Sequence, residues 1–105
     1  YYRQNNYTAA LNDYNAAIKN DPAYFLAYKN RATVQVALKN YAAADNDYTK
    51  CIELKPEDAD GYLGRGSMKS IQNNYAEAIS FYDKAIQYEP NNAVTFLNRG
   101  NAKYA

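Results

Sequence analysis

Histidine and tryptophan are absent from this chain of 105 residues, cysteine and methionine occur once each, and proline only three times. Without imidazole there is no general base of the usual kind, no Ser-His or Cys-His pair and no histidine zinc ligand. A single cysteine allows neither an internal disulfide nor a thiolate metal cluster. A charge excess is missing as well: twelve Lys and Arg stand against eleven Asp and Glu, a net +1, which gives no electrostatic footing for nucleic acid or an anionic membrane. No run of about eighteen apolar residues is present to span a bilayer. Tyr1 to Asn6 lack the basic-then-apolar order of a secretory signal. The expectation is a chain that is not an enzyme and carries no cofactor or metal, in a cytoplasmic rather than secreted setting.

What is abundant is tyrosine, thirteen of them, and most fall into a repeating register. Sliding the sequence by 34 residues aligns Asn6, Asn40 and Asn74, then Tyr7, Tyr41 and Tyr75, Ala10, Ala44 and Ala78, Tyr14, Tyr48 and Tyr82, Ile18, Ile52 and Ile86, and Pro22, Pro56 and Pro90. Within one copy, Tyr75, Ala78, Ile79, Tyr82, Ala85 and Ile86 draw a single stripe on a helix. The residues between each proline and the next asparagine are long enough for a further helix of about four turns. Its copies align too: Tyr28, Tyr62 and Phe96; Arg31, Arg65 and Arg99; Ala32, Gly66 and Gly100. Each unit is therefore a first-type helix followed by a second-type helix, and such units bury their apolar faces against neighbours rather than in one core.

In chain order, Tyr1 to Asn5 are expected to be the tail of a first-type helix, and Tyr7 to about Asn20 a second-type helix. Pro22 is expected at the first position of the next helix, with Asp21 capping it. That helix spans Ala23 to Leu38, Lys39-Asn40 is the turn, and Tyr41 to Leu54 is its partner. Glu57 to Gln72 and Tyr75 to Tyr88 form the next pair, with Asn73-Asn74 suited to a left-handed helix end. Asn91 to Ala105, with Asn91 and Asn92 as cap candidates, is a last first-type helix. The division is thus a partial repeat at 1–22, full repeats at 23–56 and 57–90, and an unpaired last helix at 91–105.

These columns resemble the tetratricopeptide repeat, whose pattern is W-x2-L-G-x2-Y, then A-x3-F, then P. Tyr28, Tyr62 and Phe96 hold the tryptophan place, and Ala32, Gly66 and Gly100 the glycine place. Ala10 with Tyr14, Ala44 with Tyr48, and Ala78 with Tyr82 supply A-x3-F. The resemblance implies an all-α fold: an α-solenoid of antiparallel helix hairpins over three 34-residue periods, wound into a right-handed superhelix. The sequence departs where the leucine place carries Arg31, Arg65 and Arg99. Arginine there can bury its stem and send its head to a neighbour. Asp13 and Asp47 are the expected partners of Arg31 and Arg65, while Phe81 in that column leaves Arg99 without an equivalent. Asp45 stands where Leu11 and Ile79 predict an apolar residue and is expected at the edge of the stripe.

The resemblance further implies a concave groove, lined by first-type helices, that receives a segment of a partner protein. Carried over column by column, the facing residues are Leu26, Asp60 and Val94; Lys29, Leu63 and Leu97; Asn30, Gly64 and Asn98; Thr33, Ser67 and Asn101; and Val36, Ser70 and Tyr104, with Tyr2 from the leading fragment. Asn30, Asn98 and Asn101 can bond a peptide backbone, and Leu63, Val94 and Leu97 offer an apolar patch, a lining suited to an uncharged or mildly apolar peptide. These columns vary between copies, as a binding surface does and as unconstrained surface also does. The family's clamp for the acidic C-terminus of heat-shock chaperones needs Lys and Asn, then Asn, then Lys and Arg. The matching places here are Lys29, Thr33, Gly64, Val94 and Asn98, so only the first lysine is present.

Other features have structural explanations. Cys51 shares its column with Ala17 and Ala85 and is expected to be a buried packing residue. Asn6-Tyr7-Thr8 forms a glycosylation sequon, but the turn column explains Asn6. Asp45 with Asp47, and Glu57 with Asp58 and Asp60, lie on helix faces or starts, where acids favour the dipole. The leading expectation is a peptide-binding scaffold. The alternatives are end-to-end self-association of the superhelix, which would make particle mass rise with concentration, and a substrate-presenting arm of a larger enzyme.

In a linear array a central aromatic matters more than one near an end. Tyr48→Ala should cost on the order of 3–5 kcal/mol in urea denaturation and Tyr14→Ala clearly less. Equal, small losses at both would refute the repeat architecture.

Overall fold

The computed structural model describes the backbone of residues 4–104 and the side chains of residues 6–104. Six helices and no strand occur among the described residues: α1 (Gln4–Asn20), α2 (Phe25–Ala37), α3 (Tyr41–Leu54), α4 (Ala59–Ile71), α5 (Tyr75–Tyr88) and α6 (Ala93–Lys103). No helix among them is long and apolar enough to cross a membrane. Each helix packs on the one before and the one after, and α4 also touches α6. The result is elongated, about 39 × 27 × 21 Å.

Two turns of identical construction set the hairpins. At the end of α2 the Asn40 N–H donates to the Gln35 carbonyl and the Lys39 N–H to that of Val36; at the end of α4 the Asn74 and Asn73 N–H groups donate to Lys69 and Ser70. This pair of bonds closes a helix on a left-handed residue, and Lys39 and Asn73 both have φ of 63°. Asparagine tolerates that conformation, whereas lysine bears a steric cost of roughly 1–2 kcal/mol. Asn6 departs from the turn expected of its column: it lies inside α1, because Gln4 and Asn5 before it are already helical. The expected first-type tail, Tyr1 to Asn5, is overturned at Gln4 and Asn5, and its remainder lies outside the described residues.

The junctions between hairpins correct a second expectation. Pro22 and Pro56 are not first helical residues; each is the second residue of a β-turn, closed by Tyr24 N–H to Asp21 and Asp58 N–H to Lys55. Proline's fixed φ suits that place, and redirecting the chain takes the whole turn, so α2 starts at Phe25 rather than Ala23. Asp21 accepts from the Ala23 N–H within the turn instead of capping the helix. Asp58 and Asn92 do cap α4 and α6, accepting from the Asp60 and Val94 N–H groups. Tyr28 and Tyr62, in the tryptophan place, donate from their hydroxyls to the carbonyls of Pro22 and Pro56 at 2.8 and 3.0 Å. Tyrosine thereby ties each first-type helix to the turn that precedes it.

The core is a succession of local clusters. Phe25, Tyr28 and Cys51 gather with Ile18 and Leu54. Ala32, Ala44 and Met68 gather with Val36, Tyr41 and Tyr48. Ala78, Tyr82 and Ala102 gather with Leu63, Tyr75 and Ile79. Two columns that periodicity alone did not single out, Val34-Met68-Ala102 and Ala27-Gly61-Thr95, are buried in every copy.

The arginine column is paired differently from the sequence expectation. Arg31 holds Asp47 in a fork, Nε to Oδ2 at 2.8 Å and Nη2 to Oδ1 at 2.6 Å, and donates to Asn15 rather than to Asp13. Arg65 turns to Asp45 at 3.1 and 3.3 Å, and its guanidinium lies 4.8 Å from the centre of the Phe81 ring. Arg99 does have an acid, Asp83, at 2.7 Å. A guanidinium on a first-type helix reaches the second-type helices on both sides. Where Phe81 replaces the acid ahead, Arg65 bonds the acid behind, and this accounts for Asp45 in an otherwise apolar column.

Gly64 and Gly100 lie in the interiors of α4 and α6 but differ in surroundings. A Cβ on Gly64 would intrude on the Tyr48 ring, while one on Gly100 meets nothing within 4 Å. Gly64→Ala should therefore destabilise by about 1–3 kcal/mol, and Gly100→Ala should stabilise by about 0.5–1 kcal/mol through helix propensity. Urea melts of the two variants check the opposite signs.

Candidate functional site

Successive first-type helices present corresponding positions to one side of the array, and there the side chains of α2, α4 and α6 meet. Lys29 and Thr33 from α2, Asp60, Leu63, Gly64 and Ser67 from α4, and Val94 and Asn98 from α6 line a concavity of about 280 Å³, with Tyr48 of α3 entering from behind. A second concavity of about 350 Å³ adjoins it through Asn98 and is lined by Ser70, Ile71, Tyr75, Tyr82, Asn101 and Ala102. The sequence-predicted residues Lys29, Thr33, Asp60, Leu63, Gly64, Ser67, Val94 and Asn98 thus converge in the first hollow, and Ser70 and Asn101 line the second.

The remaining predicted residues are elsewhere. Asn30 is exposed outside both hollows. Val36 packs into the Ala32-Ala44-Met68 cluster. Leu97 and Tyr104 are exposed on α6 and line neither hollow, Tyr104 being 94% exposed. Leu26 is exposed on α2 and lines neither hollow, and Tyr2 is outside the described residues. Tyr48, Tyr75 and Tyr82 were missed as lining because their columns carry the packing signal. Rings on second-type helices reach the concave side where the first-type helix has only a small residue, and the glycine at position 64 was the available clue.

The lining is largely uncharged. Its one ionic feature is Lys29 Nζ to Asp60 Oδ2 at 2.6 Å, joining α2 to α4. The Asp60 hydrogen bond raises the Lys29 pKa, burial opposing it. The Thr33 hydroxyl donates to the Lys29 carbonyl at 3.1 Å. Burial pushes the Tyr48 phenol up, with Thr33 acting the other way. In the second hollow the Ser70 and Tyr82 hydroxyls are hydrogen-bonded at 3.1 Å. Such a surface offers hydroxyl, amide and apolar contacts and no activated nucleophile. Cys51 is buried behind the lining and is not part of it, and burial together with Asp47, Asp58 and Asp60 pushes its thiol from 9.0 up to about 12. Among the described residues no group of three or more Cys, Asp or Glu is arranged to hold a metal ion.

Below pH 9 both folded and unfolded Cys51 thiols are protonated. Above it only the unfolded one ionises, so stability falls as pH rises from 9 toward about 12. Cys51→Ala should flatten that part of the pH profile, and a disulfide reagent at pH 8 should label wild-type Cys51 only on unfolding. Fast labelling of the folded chain would contradict its burial.

Comparison with known proteins agrees with this architecture. The family description "Tetratricopeptide repeat" matches residues 1–48 and "TPR repeat" matches residues 70–105. No curated protein matches the chain. Similar solved structures include the first TPR of Spaghetti (RPAP3) bound to the HSP90 peptide SRMEEVD, at 25% identity and a TM-score of 0.90 over 96% of this chain and 80% of that one. The Arabidopsis OM64 TPR domain is 27% identical, with a TM-score of 0.90 over 95% and 83%. The second TPR domain of human RPAP3, in complex with the HSP70 peptide SGPTIEEVD, is 25% identical, with a TM-score of 0.85 over 92% and 81%. Helix order, repeat columns and these matches together establish that the chain belongs to the tetratricopeptide repeat family.

Proposed function

We propose that the chain is a non-catalytic interaction scaffold that receives a peptide segment of a partner protein in the two adjoining concavities. The observation that carries this reading is the convergence of side chains from three successive first-type helices on a hollow that is polar at Thr33, Ser67 and Asn98 and apolar at Leu63 and Val94. Peptide sites combine apolar lining with a few placed donors and acceptors. Residues 23–56 and 57–90 act as complete repeats, with 1–22 and 91–105 as partial ones, so α2, α4 and α6 supply the lining and α3 and α5 hold them in register. The first TPR of Spaghetti (RPAP3) is bound to an HSP90 peptide and the second TPR domain of human RPAP3 to an HSP70 peptide, which supports a peptide as the ligand class.

The test is a titration of the isotope-labelled chain with capped hexapeptide pools, followed by amide chemical shifts. Shift changes should concentrate at Thr33, Leu63, Ser67 and Asn98. Val94→Lys and Asn98→Ala should each weaken binding by about tenfold, equivalent to about 1.4 kcal/mol. Val94 is exposed, so its variant leaves melting nearly unchanged. Shifts gathered on the outer faces of α3 and α5, or affinity indifferent to both substitutions, would overturn the reading.

A further inference from the structure

Resting on that reading of the groove, we infer that Asp60 sets its specificity: by holding Lys29 it cancels the lining's cation, so the site selects a segment that carries no charge where it crosses from α2 to α4. The charge balance is simple. Among the residues lining the first hollow Lys29 and Asp60 are the only side chains charged at neutral pH, Asp58 just outside the lining adds a weaker pull on Lys29, and the lining of the second hollow has none. The two charges are 2.6 Å apart, with 37% and 33% of their side chains exposed, so each faces the hollow and is also committed to the other.

Asp60 is held where it is by its own helix. It lies in the first turn of α4, and its N–H donates to Asp58 Oδ1 at 2.9 Å. A carboxylate in that turn is favoured by the unsatisfied N–H groups of the helix start. An incoming carboxylate that sought Lys29 would have to displace Asp60 and then remain beside it; like charges so placed disfavour each other. An incoming ammonium would face the same problem with Lys29. A segment with amide, hydroxyl or small apolar side chains breaks no ion pair and finds Thr33, Ser67 and Asn98 as hydrogen-bonding partners. This is discrimination by an element that penalises the wrong ligand, as well as by contacts to the right one.

Three pools of N-acetylated, C-amidated hexapeptides provide the probes: one built from Ala, Leu, Ser and Asn, one with a central Asp added, and one with a central Lys added. Affinities come from chemical-shift titration of the whole chain. Wild type should bind the neutral pool about tenfold more tightly than either charged pool. Asp60→Asn keeps the shape and frees Lys29; it should improve binding of the Asp pool by about tenfold and leave the neutral pool within about threefold. Lys29→Met should do the mirror image for the Lys pool. Thermal melts confirm that both variants are folded. Equal wild-type affinity for neutral and Asp pools, or an unchanged ratio in Asp60→Asn, would overturn the role of Asp60 while neutral-pool binding lost in Val94→Lys keeps the groove itself. No binding of any pool by wild type or variants would overturn both.

Discussion

The Tyr48 ring, laid against the bare backbone of Gly64, fixes how closely α3 and α4 approach, and much of the structure depends on contacts of this kind. A second occurs at Gly66, where a Cβ would stand 2.6 Å from Cε1 of the Tyr82 ring. A ring on a second-type helix needs a first-type helix that offers almost no side chain at the point of contact, because a packed interior has no spare volume. Alternating aromatic and small columns is therefore the means by which a chain without tryptophan stacks six helices. It also brings tyrosine hydroxyls through to the concave side, so one contact both spaces the array and furnishes the groove.

Electrostatics supplements that packing without repeating it. Arg31 and Arg65 each lie between two second-type helices and Arg99 meets one, and the three are satisfied by three different partner sets. Asp47 is buried and forked by Arg31, so losing one partner would strand the other, a costly outcome for a buried charge. Asp83 is more than half exposed, and its pairing with Arg99 contributes little. The array thus has one strong staple near its middle, a mixed one at Arg65 with Phe81, and a weak one at α6.

The concave face differs from the clamp for acidic termini in composition and in charge. The five corresponding places, Lys29, Thr33, Gly64, Val94 and Asn98, line one hollow. Only Lys29 has the required chemistry, and Asp60 occupies it. Similarity of fold to domains bound to SRMEEVD or SGPTIEEVD does not by itself assign a ligand, since one fold carries different sites.

The sequence alone determined the helix order, α3 and α5 to the residue, the hairpin turns and the burial of Cys51, because each follows from local spacing or from a column repeated at 34 residues. Its columns also name Lys29, Thr33, Leu63, Ser67, Val94 and Asn98, which line one concavity. Tertiary structure decided which of two flanking helices each arginine would reach, why Asp45 replaces an apolar residue, and that Lys29 is bound to Asp60. It also decided that Val36 serves the core while Leu97 and Tyr104 stay in solvent. The physical reason is distance along the chain: turns, caps and helical stripes join residues a few positions apart, whereas these pairings join residues about 16 to 31 positions apart. Several acids are within reach of each long cation, and only the packed helices determine which one it meets.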